Sequence, residues 1–140
     1  MRKYIFIGTG GFFGAILRLY IKSIPIYNYK ELIPLNTLFI NISGSFILAL
    51  ITTLALEVLQ IDPDIRLGIC TGFLGAYTTF STMCKEAVTL MNNGNYFSFI
   101  TYLTNSVFLG LAAVFLGVIV AREVILKLVN SSRNNRLKEN

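Results

Sequence analysis

Long runs of uncharged apolar sequence limit most strongly what this chain can fold into. The run Leu32–Leu56 has 25 residues without a charge, and the run Tyr96–Ala121 has 26. A helix that crosses a bilayer needs about 20 mostly apolar residues, so each run is long enough to span a membrane. Two further apolar segments are interrupted by only one or two charges. The sequence therefore predicts a transmembrane domain over residues 1–129, with spans at about residues 4–21, 32–56, 67–91 and 96–126, and a polar, frayed C-terminal tail over residues 130–140.

The composition favours an all-α membrane protein and argues against several classes of function. Hydrophobic residues make up 54% of the 140 residues and charged residues only 14%, whereas soluble domains have about 25% charged residues. The chain has no histidine, and its two cysteines lie in apolar stretches. Without histidine or a pair of carboxylates within the membrane, nothing in the sequence indicates an enzyme. The net charge of +5 comes mostly from bases outside the apolar runs, which favours a lipid bilayer over nucleic acid as the partner.

The distribution of the bases predicts the orientation in the membrane. An even number of spans places both termini on the same side. Lys22 and Lys30 belong to the opposite side, while Arg18 and Lys85 lie within or near spans and are not counted. Basic residues are enriched in cytoplasmic segments, so eight bases against two predict cytoplasmic termini in the cell membrane. The eight bases are Arg2, Lys3, Arg66, Arg122, Lys127, Arg133, Arg136 and Lys138.

Small and polar residues in the first two spans mark places where helices meet something other than lipid. Gly10 and Gly14 are four residues apart, a spacing that lets helix backbones approach closely. Arg18 follows on the same face, where it either faces a partner, an aqueous vestibule or an ion path, or extends to the headgroups. Asn41 in the second span is an amide within lipid and must find partners. It either bonds a neighbouring helix or directs its NH₂ group at a passing anion.

The third span departs most from a regular helix. The segment Gly72–Thr82 contains two glycines and then the sequence TTFST, all weak helix formers. We therefore predict a break between Gly75 and Ser81. Non-helical backbone at membrane depth is tolerated only when it is packed in protein or lines a polar cavity. Its freed carbonyl groups could bind a cation and its freed N–H groups an anion, or the break could be a packed kink.

The fourth span places hydroxyl groups at a helical spacing. Tyr102 and Ser106 are four residues apart, and Gly110 continues the same face. The hydroxyls could line a narrow path along the helix. Alternatively, each hydroxyl could form a hydrogen bond with the backbone of its own helix or with a neighbouring helix.

Three segments together resemble the Fluc/CrcB family of small fluoride channels. They are GGFFGAILR at Gly10–Arg18, NTLFINISGSF at Asn36–Phe46 and GFLGAYTTFST at Gly72–Thr82, and the spacing of Tyr102 and Ser106 also fits. All four spans take part in the family's order. The resemblance implies an antiparallel, dual-topology dimer with two pores, a broken third helix, and passive export of fluoride from the cytoplasm.

The resemblance also implies roles for individual residues. Asn41 would supply a pore amide, and Phe80 would present the electropositive edge of its ring to fluoride. The backbone carbonyls of Gly75 and Thr78 would hold a sodium ion at the dimer interface. Glu86 matches an acidic position at the end of the third span. The implied fluoride path comprises Arg18, Thr37, Asn41, Thr79, Phe80, Met83, Tyr102 and Ser106.

Met83 and the uneven charge distribution raise the question of what the partner chain is. The family pattern has a second phenylalanine where this chain has Met83, and methionine has no ring edge. A homodimer of opposed copies requires each copy to insert both ways, which a bias of eight bases to two opposes. We hypothesise that the chain pairs with a related chain of opposite orientation. In such a heterodimer, this chain could have a mainly structural role.

A small proton-coupled exporter with four spans is the other alternative. That chemistry requires a carboxylate within the first span. The first span of this chain contains no acidic residue, and Glu86 lies only near the end of the third. The residues therefore favour a channel over an exporter.

Overall fold

The computed structural model describes residues 1–25, 33–57 and 61–138, and within these ranges every regular element is helical. Two long helices come first, and a chain of short elements occupies the region of the third predicted span. A long final helix follows. The elements are α1 (Arg2–Lys22), α2 (Leu35–Glu57), α3 (Pro63–Leu67), a π-helical segment (Gly68–Phe73), α4 (Leu74–Tyr77), α5 (Phe80–Asn92) and α6 (Tyr96–Lys138).

Among the described residues, three helices are long and apolar enough to cross a membrane. They are α1, α2 and the Tyr96–Lys127 part of α6. The third predicted span is not one helix, because α4 ends at Tyr77 and α5 begins only at Phe80. The interruption lies inside the segment that the sequence predicted to be broken. The protein is therefore an all-α, multi-pass membrane protein.

The interruption consists of two extended residues. Thr78 has φ −75° and ψ 158°, and Thr79 has φ −152° and ψ 109°, so neither continues the helix. β-branched residues lose side-chain freedom in a helix and are favoured in extended backbone. The side-chain hydroxyl of Thr79 then accepts a hydrogen bond from the Thr82 N–H and starts α5 as its N-cap.

The final helix is longer than the sequence predicted. A tight turn with Gly94 at φ +77° separates α5 from α6, as expected from its run of asparagine and glycine. From Tyr96 the helix continues to Lys138, whereas we expected the segment from Asn130 to be frayed. The physical reason is that neither glycine nor proline occurs after Gly117 to end it.

Glycines set the closest approach between helices. A Cβ atom at Gly14 would collide with the Phe73 carbonyl group, and one at Gly10 with the carbonyl oxygen of Gly68. In return, a Cβ at Gly72 would lie 2.6 Å from the Ile7 carbonyl oxygen. α1 therefore packs backbone to backbone along the π-helical segment and α4, which is the packing interpretation of its glycine spacing.

The helices alternate in direction, and two ion pairs lie at one end of the bundle. At the end that holds the N-terminus, Arg2 bonds Asp62 at 3.1 Å, and Arg122 lies 3.9 Å from Glu57. α2 and α6 both run toward this end and form the most extensive helix pair. The opposite end carries the last turn of α1 and the chain turn that precedes α6. The candidate site lies between the break and that opposite end.

Candidate functional site

A reciprocal pair of hydrogen bonds joins Asn41 to the break. The Asn41 side-chain NH₂ donates to the Thr79 carbonyl oxygen at 3.1 Å, and the Thr79 N–H donates to Asn41 Oδ1 at 2.8 Å. The amide thus replaces the backbone acceptor that the Thr79 N–H would have in a helix. It also adds a donor to the Thr79 carbonyl, which as the N-cap carbonyl accepts the first hydrogen bond of α5 as well. It also satisfies the expectation that an amide at membrane depth finds partners. One hydrogen of the NH₂ group remains for another acceptor.

The same interactions leave two carbonyl groups without their helical donors. In a continuous α-helix the N–H of Thr79 would donate to the Gly75 carbonyl, and that of Thr82 to the Thr78 carbonyl. Here the first donates to Asn41 Oδ1 and the second to Thr79 Oγ1, at 3.2 Å. These two carbonyls are the ones to which the family resemblance assigns a sodium ion. Two freed backbone oxygens three residues apart are ligands of the kind that a hard cation binds.

A cleft of about 220 Å³ opens beside the break. Phe80 lies at its rim as the first residue of α5, and its side chain is 75% exposed. The cleft is more apolar than polar, yet it contains the amide and hydroxyl groups expected of an ion path. Its lining residues are Asn41, Gly44, Ser45, Leu48, Thr78, Thr79 and Phe80.

A second group of polar side chains surrounds the carboxylate of Glu86, one and a half turns into α5. Thr37 of α2 is buried and donates to Glu86 Oε1 at 3.0 Å. Tyr102 of α6 is fully buried and donates its hydroxyl to Glu86 Oε2 at 2.9 Å. Lys22, in the last turn of α1, places its Nζ atom 3.0 Å from Glu86 Oε1. Four helices therefore meet at this one carboxylate.

This carboxylate faces a larger cleft at the end of the bundle away from the N-terminus. The cleft has a volume of about 440 Å³ and carries two lysines as well as threonine and asparagine side chains. Such a mixture of bases and neutral donors suits an anion better than a cation. Its lining residues are Lys22, Pro34, Thr82, Lys85, Glu86, Thr89, Leu90 and Asn93.

The remaining predicted site residues make no hydrogen bond to a side chain of either group among the described residues. The Ser106 hydroxyl donates to the Tyr102 carbonyl at 2.7 Å, so its proton is already used in a hydrogen bond to the backbone of its own helix. Met83 is half-buried and packs with Leu90 and Tyr102 between α5 and α6. Arg18 is half-buried on α1, and within the described ranges no carboxylate lies within 4 Å of its guanidinium group. Their roles in a fluoride path stay predictions.

Comparison with known proteins places this arrangement in a family. The family model described as "CrcB-like protein, Camphor Resistance (CrcB)" matches residues 5–118, which include both polar groups and the break. The chain belongs to the CrcB family. A relative named "Fluoride-specific ion channel FluC 2", from Carboxydothermus hydrogenoformans, is 42% identical over 138 residues, or 98% of each chain.

Further relatives are also named as fluoride-specific ion channels. A "Fluoride-specific ion channel FluC" of a Hydrogenobaculum species is 40% identical over 115 residues, which cover 82% of this chain and 93% of that protein. Another, from Campylobacter jejuni, is 40% identical over 120 residues, covering 86% of this chain and 98% of the relative. The similarity therefore extends through all of the helices that hold the candidate site.

Lys22 is the site residue that sequence reasoning missed in this CrcB-family chain. It was counted as a loop base for the orientation of the protein, because it follows the apolar run of the first span. The structure instead places it in the last turn of α1, against a carboxylate 64 residues later in the chain. A lone lysine at a helix end carries no signal of such a long-range contact.

Loss of the Thr79 hydroxyl is expected to weaken the start of α5. In Thr79→Ala the N–H of Thr82 loses its acceptor, which costs about 1 kcal/mol of folding free energy for an N-cap. Thr79→Ser keeps the hydroxyl and serves as the matched control. Thermal unfolding in detergent should show a lower midpoint for the alanine variant only. Equal midpoints for the two variants would contradict the capping role.

Proposed function

We propose that the chain is a subunit of a fluoride channel that lets the ion leave the cytoplasm passively. The observation that carries the proposal is the 42% identity, over nearly the whole chain, to a protein named as a fluoride-specific ion channel. The name of the family's relatives describes ion conduction, so no enzymatic activity is proposed. The described residues supply donors at two levels of the membrane, as a hydrated anion requires when it loses water.

The proposed path uses weak, neutral donors. The free N–H of Asn41 and the ring edge of Phe80 would meet fluoride beside the break, and the hydroxyls of Thr37 and Tyr102 would meet it at the Glu86 end. Neutral hydrogen-bond donors hold an anion less strongly than a full positive charge does, so the ion can leave again. Arg18, Thr79, Met83 and Ser106 complete the proposed path.

An antiparallel dimer would complete the site. The cleft at the break is open, and Phe80 at its rim is largely exposed although a pore residue should be covered. A two-fold axis in the membrane plane would bring two breaks together and close both clefts. The carbonyls of Gly75 and Thr78 from each subunit would then surround one sodium ion, whose positive charge favours a nearby anion.

The second subunit is either a copy of this chain or a related chain of opposite orientation. The bias of eight bases to two favours a single orientation, with both termini in the cytoplasm. This observation supports the related chain, since opposed identical copies would need both orientations. Met83 is consistent with it, because the partner could supply the missing aromatic side chain to a shared pore.

Fluoride efflux from liposomes tests the proposal. Vesicles loaded with potassium fluoride would contain the purified chain, alone or with a related chain of opposite charge bias, together with a potassium carrier. Fluoride should appear at an external electrode without any proton gradient, while vesicles loaded with potassium chloride release no chloride. Vesicles that stay sealed to fluoride in both pairings would overturn the proposal. Efflux that requires a proton gradient would indicate an exporter.

A further inference from the structure

Lys22 is the only cation within 4 Å of Glu86 in the part of the chain that the structure describes, and it shares Oε1 with the hydroxyl of Thr37. The other carboxylate oxygen accepts from Tyr102. The side chain of Glu86 is 20% exposed and that of Lys22 40% exposed, so both reach the cleft at this end of the bundle. The carboxylate is therefore part of the surface that an ion meets there.

A carboxylate at this place opposes the passage of an anion in two ways. Its negative charge repels the ion, and the repulsion is strong where little water screens it. Its two oxygens also occupy the hydroxyl protons of Thr37 and Tyr102, which are the donors an anion would use. For the path to carry no net charge here, a cation would have to lie beside Glu86 without blocking the cleft.

The position of Lys22 meets that requirement. It lies in the last turn of α1, a helix that touches neither Thr37 nor Tyr102 through any hydrogen bond among the described residues. Its ammonium group has three donors and is more than a third exposed, so it can hold the carboxylate from the solvent side. When the two hydroxyls turn toward an anion, Glu86 keeps one partner.

We infer that Lys22 is a positioning residue of the fluoride path. It neutralises Glu86 and holds its carboxylate in place, so that the hydroxyls of Thr37 and Tyr102 can stop donating to the carboxylate and donate to an anion instead. The inference rests on the proposed function. It assigns to the end of α1 a role beyond packing, and to the Lys22–Glu86 pair control over how readily the ion enters from this cleft.

Lys85 provides the matched control. It carries the same charge as Lys22, lines the same cleft and directly precedes Glu86 in the sequence. Adjacent residues on a helix point about 100° apart, and no carboxylate lies within 4 Å of Lys85 in the described ranges. If the cleft attracts anions only through its total charge, removing either lysine should slow fluoride efflux equally. If Lys22 acts through Glu86, removing Lys22 should slow efflux more.

The experiment compares fluoride efflux from liposomes for the unaltered protein, Lys22→Gln, Lys85→Gln, Glu86→Gln and the double variant Lys22→Gln/Glu86→Gln. At about pH 7.5, Lys22→Gln should slow efflux roughly tenfold, because it leaves an uncompensated carboxylate, whereas Lys85→Gln, which removes the same charge from the cleft but not from the pair, should slow it by a smaller factor. The double variant should match Glu86→Gln, since it again carries no net charge at the pair. Lys22→Arg should restore efflux.

The double variant separates this role from a structural one. Glu86 faces Lys22 from α1, Thr37 from α2 and Tyr102 from α6, with Lys85 beside it on α5. If Lys22 only supported the fold, removing the carboxylate as well would not restore efflux, whereas a lysine that neutralises Glu86 is no longer needed once the carboxylate is gone. Thermal unfolding in detergent checks that Lys22→Gln is folded.

Equal slowing by Lys22→Gln and Lys85→Gln would overturn the inference, as would a double variant as slow as Lys22→Gln alone. Either result leaves the proposed function intact, because the unaltered protein still conducts. Vesicles of the unaltered protein that hold their fluoride would instead contradict the proposed function itself.

Discussion

Alanine in place of Gly14 is expected to destabilise the folded protein severely. The added Cβ would overlap the carbonyl group of Phe73, and it would also lie 3.1 Å from the Phe73 Cα atom. These are backbone atoms of the last residue of the π-helical segment, so no side-chain rotation can make room. Overpacking in a well-packed interior costs about 1–3 kcal/mol, and a collision with backbone is at or above the upper end. α1 would separate from the region that carries the break.

The control for Gly14→Ala is Gly11→Ala. A Cβ at Gly11 would meet the Gly72 carbonyl oxygen at 3.9 Å, which is an ordinary contact, and the helix propensity changes in the same way in both variants. The yield of monodisperse protein in detergent and its thermal midpoint are the measurements. We expect a loss of at least roughly tenfold in yield for Gly14→Ala and none for Gly11→Ala. Similar behaviour of the two variants would show that α1 can shift.

Asn41→Leu is expected to abolish most fluoride efflux. Leucine has the same branched arrangement of side-chain heavy atoms, but it leaves the N–H of Thr79 without its acceptor and removes the donor that the Thr79 carbonyl has from Asn41. Each buried unpaired polar group costs about 1–3 kcal/mol. The break would rearrange, and the donors beside it would move away from the cleft. Because each 1.36 kcal/mol is a factor of ten in rate, a fall of about a hundredfold is expected in the liposome assay.

Asn105→Leu is the matched control for Asn41→Leu. Asn105 is also an amide within a helix that is long and apolar enough to cross a membrane, but its side chain is exposed on α6. Its replacement should leave efflux within about twofold, because among the described residues no hydrogen bond joins its side chain to the break. Asn41→Asp adds a second test, since one oxygen can still accept from Thr79 while the other faces a carbonyl oxygen. Full efflux through Asn41→Leu would exclude the amide from the path.

Several features of the fold follow from local sequence. The threonines and glycines between Gly75 and Ser81 predicted the interruption, since weak helix formers cannot hold a continuous helix against competing side-chain hydrogen bonds. The turn at Gly94 was equally local. The π-helical segment Gly68–Phe73 was not predicted, because it depends on the close approach of α1, and no periodicity in the sequence marks it.

The candidate site divides in the same way. Asn41 was expected to find a partner in the membrane, but the choice of Thr79 depends on how α2 lies against the break. Thr37 and Glu86 were named from a family resemblance, and Tyr102 from the spacing of hydroxyls in its span. The sequence alone did not indicate that the carboxylate of Glu86 joins the other two side chains. Lys22 was assigned to a loop and lies instead within that group.

By itself, the order of apolar and charged residues determined that this chain enters a membrane as helices, because long apolar segments transfer from water to lipid. The weak helix formers in Gly72–Thr82 determined that one span is interrupted, because helix propensity is a local property. Tertiary structure alone decided which polar groups satisfy one another. Residues such as Asn41 and Thr79 are 38 positions apart, and hydrogen bonds at that separation are determined by the angles and distances at which helices pack. The break is local in origin, whereas its partner on α2 and the four-helix contact at Glu86 exist only in the folded bundle.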